Sequence, residues 1–239
     1  MPTACTRFYP RDHQRDPVAE ELIAGLKQTN AGLTRFKCVG RLTLSGPGGP
    51  GQSFRAAMAG QLTDRLRIDM FAPFGGSAGS VASDGKHFFL VLHPSGEYHI
   101  WRFGSGSLQR MIRIDITVGD MLEMLVGRIP VEAELSPRLS PDAHGINPQV
   151  DLVDRWGRLR QRITLDDSLW PVQSVWYDTR RNPVWTLTVI GRQMIDRFFL
   201  PRRLELSGAA GERASVSLDR YEANARFDEA LFRLPPPSS

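Results

Sequence analysis

From Leu33 almost to the carboxyl terminus, apolar and polar residues alternate in segment after segment, and no other feature constrains this chain as strongly. Phe36, Cys38, Leu42 and Leu44 fall on one face of an extended segment while Arg35, Lys37, Arg41 and Thr43 fall on the other. That period of two describes a strand with one wet face. Between Arg65 and Phe71, Leu66, Ile68 and Met70 point one way and Arg65, Arg67 and Asp69 the other. Comparable segments run over Ser53 to Ala59, around Val81, and over Lys86 to Leu92 and Glu97 to Phe103, the last two joined as a hairpin through Pro94-Ser95-Gly96. They resume at Val150 to Val153, Arg158 to Leu165, Val172 to Tyr177, Val184 to Ile190, Phe198 to Leu206 and Arg213 to Tyr221. About eleven short strands predict a mainly β protein built on one large antiparallel sheet, and a sheet of that many strands curls or splits.

Two stretches break the period. Asp16 before Pro17 is a helix start, and Val18, Leu22 and Leu26, widened by Ile23, repeat at helical spacing up to about Thr29. Thr117 and Asp120 form a capping pair ahead of Met121, Leu122, Met124 and Leu125, with Gly127 as the stop. The run from Pro130 to Pro148 holds four prolines and no clear period, and is read as a long connection. Helices so few and so one-sided suit a plug on a concave sheet face, with an apolar cavity beneath.

At 239 residues one core suffices, so residues 16–237 are expected to form a single domain and residues 1–15 a polar tether. Lys and Arg number 30 against 26 Asp and Glu, a net charge of +4 that is spread along the strands with no basic block or nucleic-acid module. No nucleic-acid partner is expected. The two cysteines make neither a disulfide framework nor a metal set, and Cys38 reads as a small core hydrophobe. His87, His93 and His99 recur every six residues but project in different directions, so no metal is expected there. Asp84, Asp166 and Asp167 read as turn formers. No nucleophile elbow, phosphate loop or dinucleotide fingerprint occurs, so neither catalytic residues nor a cofactor is expected and the chain does not read as an enzyme. Trp156, Trp170, Trp176, Tyr177 and Trp185 either pack the sheet or line a ligand site.

Thr3-Ala4-Cys5 resembles the end of a bacterial lipoprotein signal, in which small residues precede an acylated cysteine. Neither a charged stretch nor an apolar run precedes it in this sequence. Cys5 is the candidate lipid anchor.

Several longer pieces, in order, resemble the superfamily of the periplasmic lipoprotein carrier LolA and the outer-membrane lipoprotein receptor LolB. Ser83-Asp84-Gly85-Lys86 followed by an apolar strand, and Phe227-Asp228-Glu229-Ala230-Leu231-Phe232 with Pro235 and Pro236, look like the carrier. Arg65 to Met70 leading into Ala72-Pro73-Phe74-Gly75, the helix ending Leu125-Val126-Gly127-Arg128-Ile129-Pro130, and Leu200-Pro201-Arg202-Arg203-Leu204 lean toward the receptor. The resemblance implies an incomplete (half) barrel with helices as a lid, sheltering the acyl chains of lipoproteins or lipids. Each buried methylene is worth about 0.8 kcal/mol, so such chains need a shelter in water. In that picture Phe36, Leu42, Leu44, Leu66, Ile68, Met70, Met121, Leu122 and Leu125 are the cavity-lining candidates. Phe74, between Pro73 and Gly75, matches the receptor's membrane-inserting loop. The resemblance further implies an acylated cargo, a LolA-like carrier as partner, and contact with a membrane through anchor and loop. The expected place is the periplasmic face of the bacterial outer membrane, and the expected state a monomer. The receptor's further helix has no counterpart in the proline-rich run. A scaffold for a protein partner, built on the same fold without lipid transfer, is the alternative.

Overall fold

The computed structural model describes residues 16–93, 95–104, 106, 108–141 and 147–236. Cys5 and the whole tether lie outside the described residues. The first run of strands is β1 (Arg35–Ser45), β2 (Gln52–Gln61), β3 (Arg65–Phe71), β4 (Ser77–Asp84), β5 (His87–Leu92) and β6 (Glu97–Arg102). The second is β7 (Ser136–Leu139), β8 (Gln149–Val153), β9 (Leu159–Leu165), β10 (Pro171–Tyr177), β11 (Pro183–Ile195), β12 (Phe198–Gly208) and β13 (Arg213–Ala223). Helices α1 (Pro17–Gln28), α2 (Gln109–Ile112) and α3 (Val118–Leu125) complete the fold, with a 3-10 turn at Glu229–Phe232.

All thirteen strands form one antiparallel sheet, ordered β6-β5-β4-β3-β2-β1-β13-β12-β11-β10-β9-β8-β7. Each run is a meander, and β1 against β13 sews the two together. The outermost strands, β6 and β7, do not pair with each other, so the barrel is incomplete. The chain from β6 to β7 carries α2 and α3, whose apolar residues join those of the sheet's inner face in one large core. Leu122 of α3, fully buried, reaches Phe36 over Gly60, where a β-carbon would stand 2.5 Å from both side chains.

The sheet holds thirteen strands where the alternation predicts about eleven; the segment around Val81 is β4, and β7 has no counterpart among the predicted segments. In β4 the inner positions are Gly79, Val81 and Ser83, so Val81 alone marks this strand in the sequence. β7 is only four residues long and one of them is a proline, tolerated because an edge strand can leave one row of backbone groups unpaired. The region read as a connection after Pro130 thus contains β7, and no further helix among its described residues. Both predicted helices form at their predicted starts. Thr117 and Asp120 make the reciprocal capping box, and Asp16 caps α1.

The closing segment straps the outer face of the sheet. Phe232 is fully buried and meets Phe227 edge to face at 5.1 Å, while Leu234 packs with Ala82, Phe89 and Val91 in a second, smaller core. Arg233 Nε donates to Asp84 Oδ2 at 3.0 Å and Arg65 pairs with Glu229 at 2.8 Å. Two segments that carry the resemblance, Ser83 to Lys86 and Phe227 to Phe232, therefore hold one another. Among the described residues, no helix is long and apolar enough to cross a membrane.

Candidate functional site

Helix α1 carries more apolar surface than it buries. Ala19, Ile23 and Leu26 sink into the core, yet Val18 remains 55% exposed and Leu22 only half-buried. These residues, with Gly25 and Thr29 in continuation, form one wall of an open groove of about 850 Å³. The β9–β10 turn supplies the opposite wall with Leu169 and Trp170, and the end of the β11–β12 hairpin adds Phe198 and Phe199. Trp170 and Phe199 meet edge to face at 6.3 Å, and Leu169 and Phe199 are each about half exposed. Arg192 and Arg197, both exposed, stand at the rim. A space of this size, mostly apolar and rimmed by two cations, suits a chain-like apolar ligand with a polar or anionic end.

The groove owes its shape to contacts that hold α1 at both ends. At its start, the Asp16 carboxylate accepts from Ala19 N–H at 3.1 Å and from Leu139 N–H of β7 at 2.8 Å. These backbone donors, Leu139 first, hold the Asp16 carboxyl below the usual carboxylate range. Beyond its end, Asn30 Nδ2 donates to the carbonyls of Val126 and Phe199, and Asn30 Oδ1 accepts from Phe199 N–H. Gly127 lies at φ +79°, and a β-carbon there would come within 2.6 Å of the Phe199 carbonyl oxygen. A folded pKa below the unfolded one gives stability that is complete above the ordinary aspartate range and is lost as pH falls through the folded value. Asp16→Ala is accordingly expected to cost about 1 kcal/mol at neutral pH. The gap between variant and wild type should close in thermal melts taken at acid pH.

A second opening, about 950 Å³, lies at the other end of β10 and β11, with Trp176 and Trp185 stacked 3.5 Å apart in its lining. Its remaining walls include Asp115, Asp120, Glu123, Arg128, Glu132 and Arg160. Burial pushes the Glu123 carboxyl up, against the pull of Arg128. So many charges would have to be stripped of water by an acyl chain that this opening is a poor shelter for one.

Of the residues singled out by the sequence, Phe36, Leu42, Leu66, Ile68, Met70, Met121, Leu122 and Leu125 are buried together in the main core, and Leu44 packs against it. None of them lines the two openings described above, which are walled by α1, the second run of strands and, for the second opening, the stretch from Asp115 to Glu132 that contains α3. Cys38 is buried, and its thiol is pushed far above its usual range by burial. Phe74 is fully exposed at the tip of the β3–β4 loop, which Ala72 and Gly76 close by a 2.7 Å backbone hydrogen bond, with Gly75 at φ +91°. The histidines are dispersed: His87 faces Asp84, His93 approaches Ser80, and His99 approaches Glu97. Among the described residues no three metal-type ligands gather. Ser80 Oγ donates to Asp69 Oδ1 at 2.6 Å and is itself buried, so the Asp69–Ser80–His93 chain offers no exposed nucleophile. Asp84 and Asp166 each accept two backbone N–H bonds in turns. The groove itself was half legible: the Val18-Leu22-Leu26 stripe is its α1 wall, but the sequence could not say that this stripe stays partly uncovered.

Neither the family models nor the curated proteins give a match to this sequence. Solved structures do. A DUF1329 family protein from Desulfovibrio piger superposes with a TM-score of 0.66 at 13% identity, over 91% of this chain and 98% of that one. A domain from Vibrio parahaemolyticus, described by its link to outer membrane lipoprotein sorting, gives 0.64 at 12% identity, over 90% and 96%. A LolA superfamily protein from Nitrosomonas europaea gives 0.60 at 12% identity, over 90% and 97%. At such identities the likeness is one of fold, and it covers nearly all of each chain. In its fold, this chain is similar to these structures, one of them of the LolA superfamily: a half-barrel, open between its edge strands, with short helices packed on its inner face.

Proposed function

We propose that this protein shelters an acyl chain of a lipoprotein or lipid in the groove beside α1 and passes it to a membrane that the Phe74 loop touches. The observation that carries the reading is the uncovered apolar stripe of α1 facing Leu169, Trp170 and Phe199, since a soluble fold gains by covering such a surface. Holding the chain needs burial and a cation for the polar end, and no bond has to be made or broken. The protein therefore acts as a binding and transfer protein and not as an enzyme. Phe74, fully exposed between turn residues, has the character of a side chain that enters the lipid interface. Acylation at Cys5 would keep the half-barrel at the periplasmic face of the outer membrane, with a LolA-like carrier as donor. A single acyl chain holds only marginally, so loop and anchor would act together.

Titration of the purified protein with a fluorescent fatty acid and with an acylated peptide tests this. Saturable binding at one site, competed by unlabelled fatty acid, is the expected result; binding that never saturates, or none, would sink the reading. The alternative, a scaffold for a protein partner, draws on the dense packing of Phe36, Leu66, Ile68 and Leu122 in the interior. It predicts a stoichiometric protein partner and no acyl binding.

A further inference from the structure

The outer face of the sheet next to the Phe74 loop carries a pair of arginines that the fold does not explain. Arg41 of β1 and Arg55 of β2 lie directly opposite each other, both exposed. Like charges in that position repel, and a carboxylate nearby would ordinarily offset them. Here neither side chain makes an ion pair or hydrogen bond with any described residue. Asp69, on the same face, is held by Arg67 and Ser80 instead. Arg55 is in turn opposite Phe71, the last residue of β3 before the loop. A depression of about 620 Å³ runs from the two arginines over Ala57 and Phe71 to Pro73 and Gly75, so the cations and the turn that carries Phe74 border one continuous surface.

The strand directions put a second such feature at the same end of the sheet. Ser45 at the end of β1 and Phe71 at the end of β3 lead into turns at that end, and pairing through β13, β12, β11, β10 and β9 places the β8–β9 turn there too. In that turn Trp156 is 62% exposed, with the Arg155 guanidinium 4.0 Å and that of Arg158 5.5 Å from its ring centroid. Exposed aromatics flanked by arginines are what a charged lipid interface accommodates: the ring lies at headgroup level and the cations meet phosphates.

We infer that Arg41 and Arg55 form a headgroup-binding pair, so that the Phe74 loop docks on a lipid surface bearing anionic headgroups in preference to a zwitterionic one. The inference rests on the proposed contact between Phe74 and a membrane, and adds to it the lipid class and the residues that select it. The unmet charges of Arg41 and Arg55 then find partners in the bilayer, and the repulsion between them is relieved on docking.

The full 239-residue chain is to be sedimented with vesicles of phosphatidylcholine alone and of an equimolar phosphatidylcholine–phosphatidylglycerol mixture, at low and high salt. The wild type is expected to bind the anionic vesicles about tenfold more tightly, with the preference fading in high salt. Arg41→Gln combined with Arg55→Gln should bring binding to the anionic vesicles down to the phosphatidylcholine level and leave the latter unchanged. Its thermal midpoint should stay the same or rise, because a repulsive pair has been removed. A double variant that keeps the anionic preference overturns the inference. Equal binding of wild type to both vesicles, lost on Phe74→Ser, also overturns it while leaving the Phe74 contact standing. Binding of wild type to neither vesicle removes the membrane contact itself and this inference with it.

Discussion

Gly25→Leu is expected to make the protein more stable and a poorer binder of acyl chains, two effects of opposite benefit from one side chain. Gly25 sits inside α1, where glycine costs roughly 0.5–1 kcal/mol relative to alanine, and leucine ranks close to alanine as a helix former. A β-carbon there meets nothing within 4 Å, so the gain is not cancelled by a clash. For a domain of this size the midpoint of thermal unfolding should rise by about 2–4 °C per kcal/mol. The same open space is the groove, and a leucine side chain projecting from Gly25 occupies part of it. Displacing even two methylenes of a bound chain forfeits about 1.6 kcal/mol, enough to weaken binding more than tenfold. Ala24→Leu, at an exposed position that does not line the groove, should leave binding as it is. Fluorescent fatty-acid titration beside thermal melts reads both effects, and wild-type affinity in Gly25→Leu would remove the groove from consideration.

Gly40→Ala is expected to be among the most destabilising single-methyl additions possible in this chain. Gly40 lies where the register of β1 against β13 shifts, and a β-carbon built there falls within 1.8 Å of the Ser217 carbonyl oxygen. The obstacle is backbone, so no rotamer change can relieve it, and β13 must move away. That pairing joins the two meanders into one sheet, which leaves the damage nowhere local to go. Overpacking of a yielding core costs about 1–3 kcal/mol, and an unyielding backbone contact belongs at or above the top of that range. The midpoint should fall by about 10 °C or the protein should fail to accumulate. Gly46→Ala, in the β1–β2 turn where a β-carbon meets nothing within 4 Å, is the matched control and should melt like wild type. If Gly40→Ala did the same, the register of the seam would be wrong.

The groove and the Phe74 loop stand at opposite ends of the sheet. The β9–β10 and β11–β12 turns bound the groove, whereas β3–β4 turns at the end where β1 finishes. Under the proposed function, a chain held beside α1 would thus stand away from the bilayer that Phe74 touches, and holding and delivery would be separate steps. Between the two ends lies the packed core of Phe36, Leu66, Ile68 and Leu122, and α3 is fastened over it by Tyr221, whose hydroxyl donates to the Leu125 carbonyl at 3.3 Å, and by Arg128, which donates to the Leu33 carbonyl at 2.8 Å.

What this sequence determined by itself is local. Alternation with period two is written in neighbouring residues, so Phe36, Leu66 and Ile68 could be assigned to the inner face, and Arg41 and Arg67 to the outer, without knowing which strands pair. Caps are equally local, and Asp16, Thr117 and Asp120 start their helices where residue type alone places them. β7, with its proline and no apolar period, was recognisable only through its partner, and β4, with its Gly and Ser, was marked by Val81 alone. Three features were decided by tertiary structure alone. The closure of β1 on β13 joins residues far apart in sequence, and no local pattern encodes it. The inner-face residues meet α3 and pack, because the lid descends onto the first run of strands instead of standing off them. The Val18-Leu22 edge of α1 remains uncovered, because Ala19 and Ile23, one residue further round the helix, are the ones that reach the core. A sequence declares which residues are apolar; only the assembled sheet leaves one set of them without a neighbour, and on that uncovered surface the proposed binding rests.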